Sequence, residues 1–549
     1  MTPQLSIPHV SYLAILPELF MIAGALVLVL AASLLRRRPS ATFNTAVAVV
    51  VSGGALVASV FLWYNVADHG SRTTMAGSIA VDGFSAFFLV LLSSAALLSA
   101  LVADGYLRAE RIRGPEYHVL AMLAVSGAML MASATDLIAI FLGLEVLSIA
   151  LYVLTGLDVR RGESREAAMK YFVLGAFSSA VFLYGIALVY GATGSTNLAE
   201  IAKFLTENAL VSNGVLLAGT ALVIVGFAFK IAAVPFHMWT PDVYQGAPTP
   251  VTAFMAAVAK AGGFAALLRV FYSSLFTLRA DWQPIIWALA AASMVLGAIM
   301  AVVQRDVKRM LAYSSINHAG LILLGLEAAT AKGMSGSLYY LFAYALLVIA
   351  SFAVVNVVGG TKGNDLERYR GLASRQPVLA GAFALLLLAQ AGVPFTAGFL
   401  AKFYVISAVI ASGSYALAVV AMVSVVIAAF FYLRVVLVMF TPGTETAGVG
   451  AGAATASVGG GPSDVEGHGA LAMGMDMSGI TAGRVEAAGA GAVAVLADGL
   501  GDSEPVGEDV VSVPIPTAFV IAASVGFTVF FGIIASPLVN FAHAATLLF

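Results

Sequence analysis

Apolar residues run through the chain in long blocks separated by short polar connections. Fourteen blocks reach the ~20 mostly apolar residues that a membrane-crossing helix needs. They are 11–35, 43–64, 82–104, 117–134, 136–157, 168–192, 213–236, 249–274, 283–303, 309–329, 335–359, 377–410, 413–440 and 514–537. Only Thr135 and Asp136 separate the fourth from the fifth. Backbone polar groups in lipid must be satisfied within the segment, so the blocks are expected to be helices. The alternation of a membrane β-barrel, in segments of about ten residues, is absent. The expected fold is an all-α polytopic membrane protein with about fourteen transmembrane helices. The first block is too long for a signal-peptide core and no basic residue precedes it, so it is read as retained.

Two stretches differ. In 197–208, Leu198, Ile201, Phe204 and Leu205 share one helical face, which predicts a short interfacial helix. Residues 441–513 hold 17 of the chain's 54 glycines, ten acidic residues and one basic residue, Arg484. This is the composition of a flexible insertion, and it fits a tolerated linker better than a docking loop.

Composition agrees with the pattern. The 549 residues are 61% apolar and 10% charged, with a mean hydropathy of +0.98. Soluble domains carry roughly 25% charge, so a soluble enzyme and a disordered chain are excluded. Cysteine is absent, which leaves no disulfide and no Cys-held zinc or iron–sulfur cluster in this chain. No Gly-rich phosphate loop is present, so ATP is not the driving force. Lysine and arginine are asymmetric. Every second connection, starting after the first block, carries 17 of them (Arg36–Arg38, Arg108, Arg111, Arg113, Arg160, Arg161, Arg165, Arg305, Lys308, Arg309, Lys362, Arg368, Arg370, Arg375 and Arg484), against 5 on the other side (Arg72, Lys203, Arg269, Arg279 and Lys332). The positive-inside rule then places both termini outside the cytoplasm and the 441–513 loop within it.

Ala232-Ala-Val-Pro-Phe236 in the seventh block reappears as Ala391-Gly-Val-Pro-Phe395 in the twelfth. Pro235 and Pro394 each interrupt an apolar run, where proline breaks or kinks a helix. The two sites are five blocks apart. An odd offset makes the second copy enter the membrane from the opposite side, as in inverted repeats, here spans 4–8 and 9–13 with helices 7 and 12 broken. The corresponding divisions are 1–116 (three helices), 117–274 and 275–440 (the repeats), 441–513 (the insertion) and 514–549 (the last helix).

Five cations remain inside the blocks: Lys170, Lys230, Lys260, Lys402 and Arg434. A central charge costs ~2.5–3.5 kcal/mol on insertion scales, so these groups face protein or water. Glu145 is one acidic partner for several lysines, and pairing cannot neutralise them all. Burial disfavours the charged form of an amine, so Lys230, Lys260 and Lys402 are candidate proton carriers, with His318 between them and Lys170 near the start of its span. At ~7 Å and an effective dielectric of ~20, Glu145 and Lys230 would interact by ~2.4 kcal/mol, enough to switch a proton. Arginine stays charged, so Arg434 is expected to snorkel. Glu18 is expected to pair locally, and His237 to be structural.

Lys230-Ile-Ala-Ala-Val-Pro-Phe-His-Met-Trp-Thr-Pro-Asp-Val-Tyr-Gln-Gly-Ala-Pro-Thr-Pro-Val251 closely resembles the seventh-to-eighth helix segment of the antiporter-like membrane subunits of NADH–quinone oxidoreductase, respiratory complex I. The Met-Trp-Thr-Pro-Asp-Val-Tyr form resembles the N branch of that family. The L and M branches usually read His-Thr-Trp-Leu-Pro-Asp. Gly143-Leu-Glu145, Glu166-Ala-Ala-Met-Lys170-Tyr-Phe172, Asp306 through His318, and Ala397-Gly-Phe-Leu-Ala-Lys402-Phe403 also match. The resemblance covers about 117–440. It implies a proton-pumping translocase subunit driven by redox chemistry elsewhere. Glu145 matches the modulating glutamate, and Lys170, Lys230, Lys260 and Lys402 match lysines of helices 6, 7, 8 and 12. It implies no cofactor or metal in this chain, with flavin, iron–sulfur clusters and quinone in partner subunits. It further implies a hetero-oligomer with M-type and small K- and J-type subunits in a bacterial inner membrane, and no nucleic acid. The insertion at 441–513 departs from the family pattern. The alternative is a subunit of a multi-subunit cation/proton antiporter without redox partners.

Overall fold

The computed structural model describes residues 10–35, 39–112, 114–208, 213–360, 363–442 and 512–548. Arg36–Arg38, Arg113, Lys362 and nearly all of the 441–513 insertion, Arg484 included, lie outside the described residues. So the loop cations counted above are only partly covered.

Twelve helices among the described residues are long and apolar enough to cross a membrane. They fall on twelve of the fourteen expected blocks. The first six are α1 (Leu16–Leu34), α2 (Ala41–His69), α3 (Gly83–Ala109), α4 (Glu116–Ser133), α5 (Leu137–Thr155) and α6 (Gly162–Thr193). The short amphipathic α7 (Leu198–Glu207) buries Leu198, Ile201 and Leu205, as the face pattern requires. Then come α8 (Gly214–Ile231) and the short α9 (Trp239–Gly246). The eighth block is one continuous rod of α10 (Thr249–Phe254), a π-turn (Met255–Ala259), α11 (Lys260–Arg269) and a second π-turn (Val270–Ser274). It is followed by α12 (Arg279–Val302), α13 (Val307–Glu327), α14 (Ala331–Gly359), a single turn α15 (Leu372–Arg375), α16 (Pro377–Ala391), α17 (Ala397–Ala411), α18 (Tyr415–Phe440), α19 (Ile515–Ile533) and α20 (Ser536–Ala544).

The tenth and twelfth blocks differ from the apolar-span description for physical reasons. Helix α13 is long enough, but Lys308, Arg309, Ser314, Ser315, Asn317 and His318 make it polar. The twelfth block is divided into α16 and α17, each 15 residues long, by the stretch around Pro394. The narrow gap between the fourth and fifth blocks is a true break, because Asp136 caps α5 through the N–H groups of Ile138 and Ala139.

The rod α10–α11 is buried throughout its most apolar stretch, and α3 and α14 are largely buried. The faces of α1, α2, α6 and α19 are mostly exposed, as expected where lipid replaces water around the bundle. Without a hydrophobic drive between helices in lipid, close packing relies on small residues. Gly127 of α4 and Gly143 of α5 face each other so closely that a Cβ on Gly127 would stand 2.6 Å from the Gly143 carbonyl. Gly185 of α6 and Gly219 of α8 do the same at 3.0 Å.

One expected loop cation is in the interior. Arg269, at the end of α11, is 1% exposed and forms a forked ion pair with Asp82, 2.9 Å on each arm. Its Nε donates to the Ala132 carbonyl. Asp82 follows the hairpin of β1 (Arg72–Thr74) and β2 (Ile79–Val81) and caps α3 with Ser85. Burial pushes the Asp82 carboxyl up, but Arg269 outweighs this and holds it below the usual carboxylate range. The end of the chain closes over the pair: Leu548 N–H donates to Asp82 Oδ2, and Phe84 N–H to the Thr546 carbonyl. Position near a helix end in the sequence hid this, because the end of the rod is itself buried.

Candidate functional site

The two Pro-containing segments are both non-helical breaks. After α8, Ala232 is left-handed, with φ of 61°, and Val234 N–H donates to Ser293 Oγ on α12. After α16, Gly392 is left-handed, with φ of 94°, and Thr396 restarts the helix by capping the Phe399 N–H. Backbone freed in this way must find other partners, and the second break uses a lysine. Lys402, one turn into α17, donates from Nζ to the carbonyls of Gln390 (2.7 Å) and Ala391 (2.8 Å). Its cation sits at the negative end of the α16 dipole.

Lys230 is buried and donates to Ser148 Oγ on α5 at 2.9 Å. The expected partner Glu145, one turn back on α5, makes no ion pair with it, and one of its buried oxygens has no partner. The Lys230 stem packs against Gly263, one turn beyond Lys260: a Cβ there would stand 3.3 Å from Lys230 Cγ. No direct hydrogen bond joins Lys230 to Lys260.

Lys260 follows the first π-turn, a form that often marks functional positions in helices. Its Nζ donates to Ser315 Oγ (2.5 Å) and to the Ser315 carbonyl, and lies 5.4 Å above the Tyr344 ring. Tyr344 also donates to Ser315 Oγ, at 2.9 Å. Beside Ser315, Ser314 bonds the Tyr432 hydroxyl of α18. That hydroxyl also meets His318 Nε2 at 3.0 Å, while His318 Nδ1 meets the Tyr340 hydroxyl at 2.7 Å. Tyr432 then donates to Gln390 Oε1 at 3.4 Å, and Gln390 is the residue whose carbonyl holds Lys402. The polar file therefore has three hydrogen-bonded pieces, Lys260 with Ser315, Ser314 with Tyr432, His318 and the Gln390 side chain, and the Gln390 carbonyl with Lys402, joined by the adjacency of Ser314 to Ser315 and by Gln390 itself. Lys260, His318 and Lys402 lie along this file, whereas Lys230 and Glu145 stand beside it.

The uncharged members escaped the reading of the sequence. A hydroxyl or amide in an apolar block carries no large cost. The available signals were register: Ser314 and His318 lie four apart on α13, and Tyr340 and Tyr344 four apart on α14. A further lysine was misplaced. Lys308 was counted with the loops, yet it is 1% exposed and donates to the carbonyls of Gln245 (3.1 Å) and Ala247 (2.7 Å) at the end of α9. Lys170 is the opposite case. It is half-exposed and bridges Glu166 and Asp242, each at 2.8 Å, apart from the buried file. Asp242 is shared with Arg309 at 2.8 Å.

Glu18 has no local ion pair and leaves one oxygen unsatisfied. Arg434 is half-buried and binds the carbonyls of Val302, the last residue of α12, and of Gln304 just beyond it. His237 is buried beside the first break with Nδ1 unpartnered.

Residues 134–428, more than half the chain and all of the file except Tyr432, match the family described as NADH:quinone oxidoreductase/Mrp antiporter, TM. The chain belongs to this family. Subunit N of NADH-quinone oxidoreductase from Trichlorobacter lovleyi is 46% identical over 376 residues, covering 68% of this chain and 77% of that protein. The Parafrankia sp. subunit N is 43% identical over 461 residues, covering 79% and 86%. A chain of respiratory complex I from Thermus thermophilus, solved with bound aureothin, superposes with a TM-score of 0.65 at 34% identity, covering 77% of this chain and 90% of that one. Within the family, these relatives put the chain with subunit N, in agreement with the Met-Trp-Thr-Pro-Asp-Val-Tyr stretch.

Proposed function

We propose that the chain is a proton-translocating membrane-arm subunit of NADH–quinone oxidoreductase, and that Lys260, His318 and Lys402 carry the proton, with Lys230 and Glu145 as an adjoining charge switch. The observation that supports this is the file of buried polar groups between Lys260 and Lys402 across α13, α18 and the broken α16–α17, hydrogen-bonded in pieces whose ends meet at Ser314–Ser315 and at Gln390. Each station can release a proton and accept another, and the hydroxyls between them do both at once. Moving one proton against 100 mV costs ~2.3 kcal/mol. On this reading the energy comes from flavin and iron–sulfur chemistry in partner subunits. The neighbours in the membrane are M-type and small K- and J-type subunits. The two broken helices support a division into inverted units, 117–274 and 275–440. Orientation by cation bias puts both termini outside the cytoplasm of a bacterial inner membrane, with 441–513 inside.

The test is an assembled complex in proteoliposomes. Lys260→Ala and Lys402→Ala should each lose most pumping-coupled quinone reduction while assembly persists. A normal proton-to-electron ratio in either variant overturns the reading. Co-purification with small hydrophobic subunits alone, without flavin and iron–sulfur proteins, would favour the antiporter assembly instead.

A further inference from the structure

A second polar region lies outside the file. A cavity of ≈ 300 Å³ is lined by Arg161, Glu163, Glu166, Lys170, Asp242 and Gln245, among others. It is the polar counterpart of the tight, ≈ 10 Å³ space at Lys230. Helix α9 forms its inner wall, and successive residues of α9 look in different directions. Asp242 binds Lys170 and Arg309. The Gln245 side chain binds Arg309 at 3.0 Å. The Gln245 and Ala247 carbonyls hold the buried Lys308. Tyr244 reaches Ser315, the partner of Lys260, from the other side.

We propose that this cavity is the proton-uptake mouth, that Lys308 is its carrier, and that protons join the file at Lys260 rather than at Lys230. The inference rests on the proton-translocating reading above. Residues 308 and 315 are seven apart, so they share one face of α13, about 10.5 Å apart along its axis. That face is the one α9 covers with Gln245 and Tyr244. The cradle also suits a carrier. A neutral amine has two N–H groups, and the two carbonyls accept both. The remaining position is a lone pair in the amine and a third N–H in the ammonium. One proton can therefore come and go without breaking either carbonyl bond. Lys402 has the same two-carbonyl cradle at the other end of the file. The charges facing Lys308 are Arg161, Glu163 and Asp306; all three line the cavity, whereas Lys308 itself does not and stands behind Gln245, whose carbonyl it holds. In the step itself, a hydrated proton in the cavity binds the Lys308 amine. The resulting ammonium gives one proton toward the Tyr244–Ser315 hydroxyls over the ~10.5 Å that separate 308 from 315 along α13, a transfer that requires a chain of waters between them. Ser315 passes one on to the Lys260 amine. Each hydroxyl takes one proton and gives one, and Lys308 returns to the neutral amine.

The experiment uses the assembled complex in proteoliposomes, with Lys308→Arg, Lys308→Ala and Lys308→Cys compared with Lys260→Ala. Arginine keeps the charge and can bond both carbonyls but does not deprotonate. The expected result is loss of pumping in Lys308→Arg as complete as in Lys260→Ala, with unchanged assembly. Because the chain has no native cysteine, Lys308→Cys offers one thiol here. It should be labelled by aminoethyl methanethiosulfonate, with the label found on this chain by mass spectrometry, and the restored amine should recover part of the pumping. Normal pumping in Lys308→Arg, or a thiol that the reagent does not reach, overturns the inference and leaves Lys308 a structural cap of α9. If Lys260→Ala itself pumps normally, the proton-translocating reading has failed instead.

Discussion

Tyr432→Phe removes one oxygen from the centre of the file. That hydroxyl has three partners: Ser314 Oγ, His318 Nε2 at 3.0 Å and Gln390 Oε1 at 3.4 Å. The ring still fills its buried site, so packing is retained. The loss leaves His318 and Ser314 each short of a partner in the buried interior. Each unsatisfied buried group costs ~1–3 kcal/mol, and the contact with Gln390 is too long to add much, so the two together should destabilise by roughly 2–6 kcal/mol. The functional effect should exceed the structural one. Without the hydroxyl, His318 retains only Tyr340, whose hydroxyl makes no other hydrogen bond on the path, so the file is cut on the Lys402 side. The assay pairs thermal unfolding of the purified complex with NADH-driven acidification of proteoliposomes. Tyr340→Phe, which removes a bond outside the Lys260–Lys402 path, is the control and should pump better than Tyr432→Phe. Full pumping by Tyr432→Phe at near-normal stability would refute the file as the proton path.

Other outcomes follow from the same geometry. Asp82→Asn leaves the Arg269 charge buried and unpaired, which should cost ~3–5 kcal/mol, read as a lower unfolding midpoint in detergent. Because the Asp82 carboxyl is held below its ordinary value, its stabilisation is present at neutral pH and is lost as pH falls through the folded value. Below the unfolded value of ~3.9 it wanes, and Asp82→Asn should lack this part of the acid dependence. Lys170→Ala breaks only half-exposed pairs and should change stability by no more than ~1 kcal/mol; a larger loss would mean the Asp242 cluster is more tightly built than its exposure indicates. Gly392→Ala places a side chain at φ of 94° with its Cβ 3.0 Å from Lys402 Cδ. It should cost ~1–2 kcal/mol for the left-handed backbone and depress pumping by displacing the lysine.

Most of the architecture was legible because charge is so costly in lipid. The blocks, the break at Asp136 and the amphipathic α7 all express that one rule. Where the rule is silent, the sequence misled. Lys308 and Arg269 lie near block ends, where cations normally reach water, but here those ends are packed inside. Glu145 and Lys230 are expected to act on each other across ~7 Å; what the sequence does not mark is Ser148, which takes the direct hydrogen bond from Lys230. Ser314, Ser315, Gln390 and Tyr432 are neutral, so nothing in composition marks them. Only three-dimensional proximity between α13, α16 and α18 does.

The carbonyl cradles around Lys308 and Lys402 have a consequence for control. A carboxylate beside a lysine fixes its charge, whereas a carbonyl offers only a dipole and leaves the protonation state open to distant influence. A unit charge appearing ~10 Å away, at an effective dielectric of ~20, alters the energy of the charged lysine by roughly 1.7 kcal/mol. That is about a fifteen-fold change in the ratio of ammonium to amine. On the proton-translocating proposal, a neighbour in the membrane would load or empty these amines by field alone, without contact.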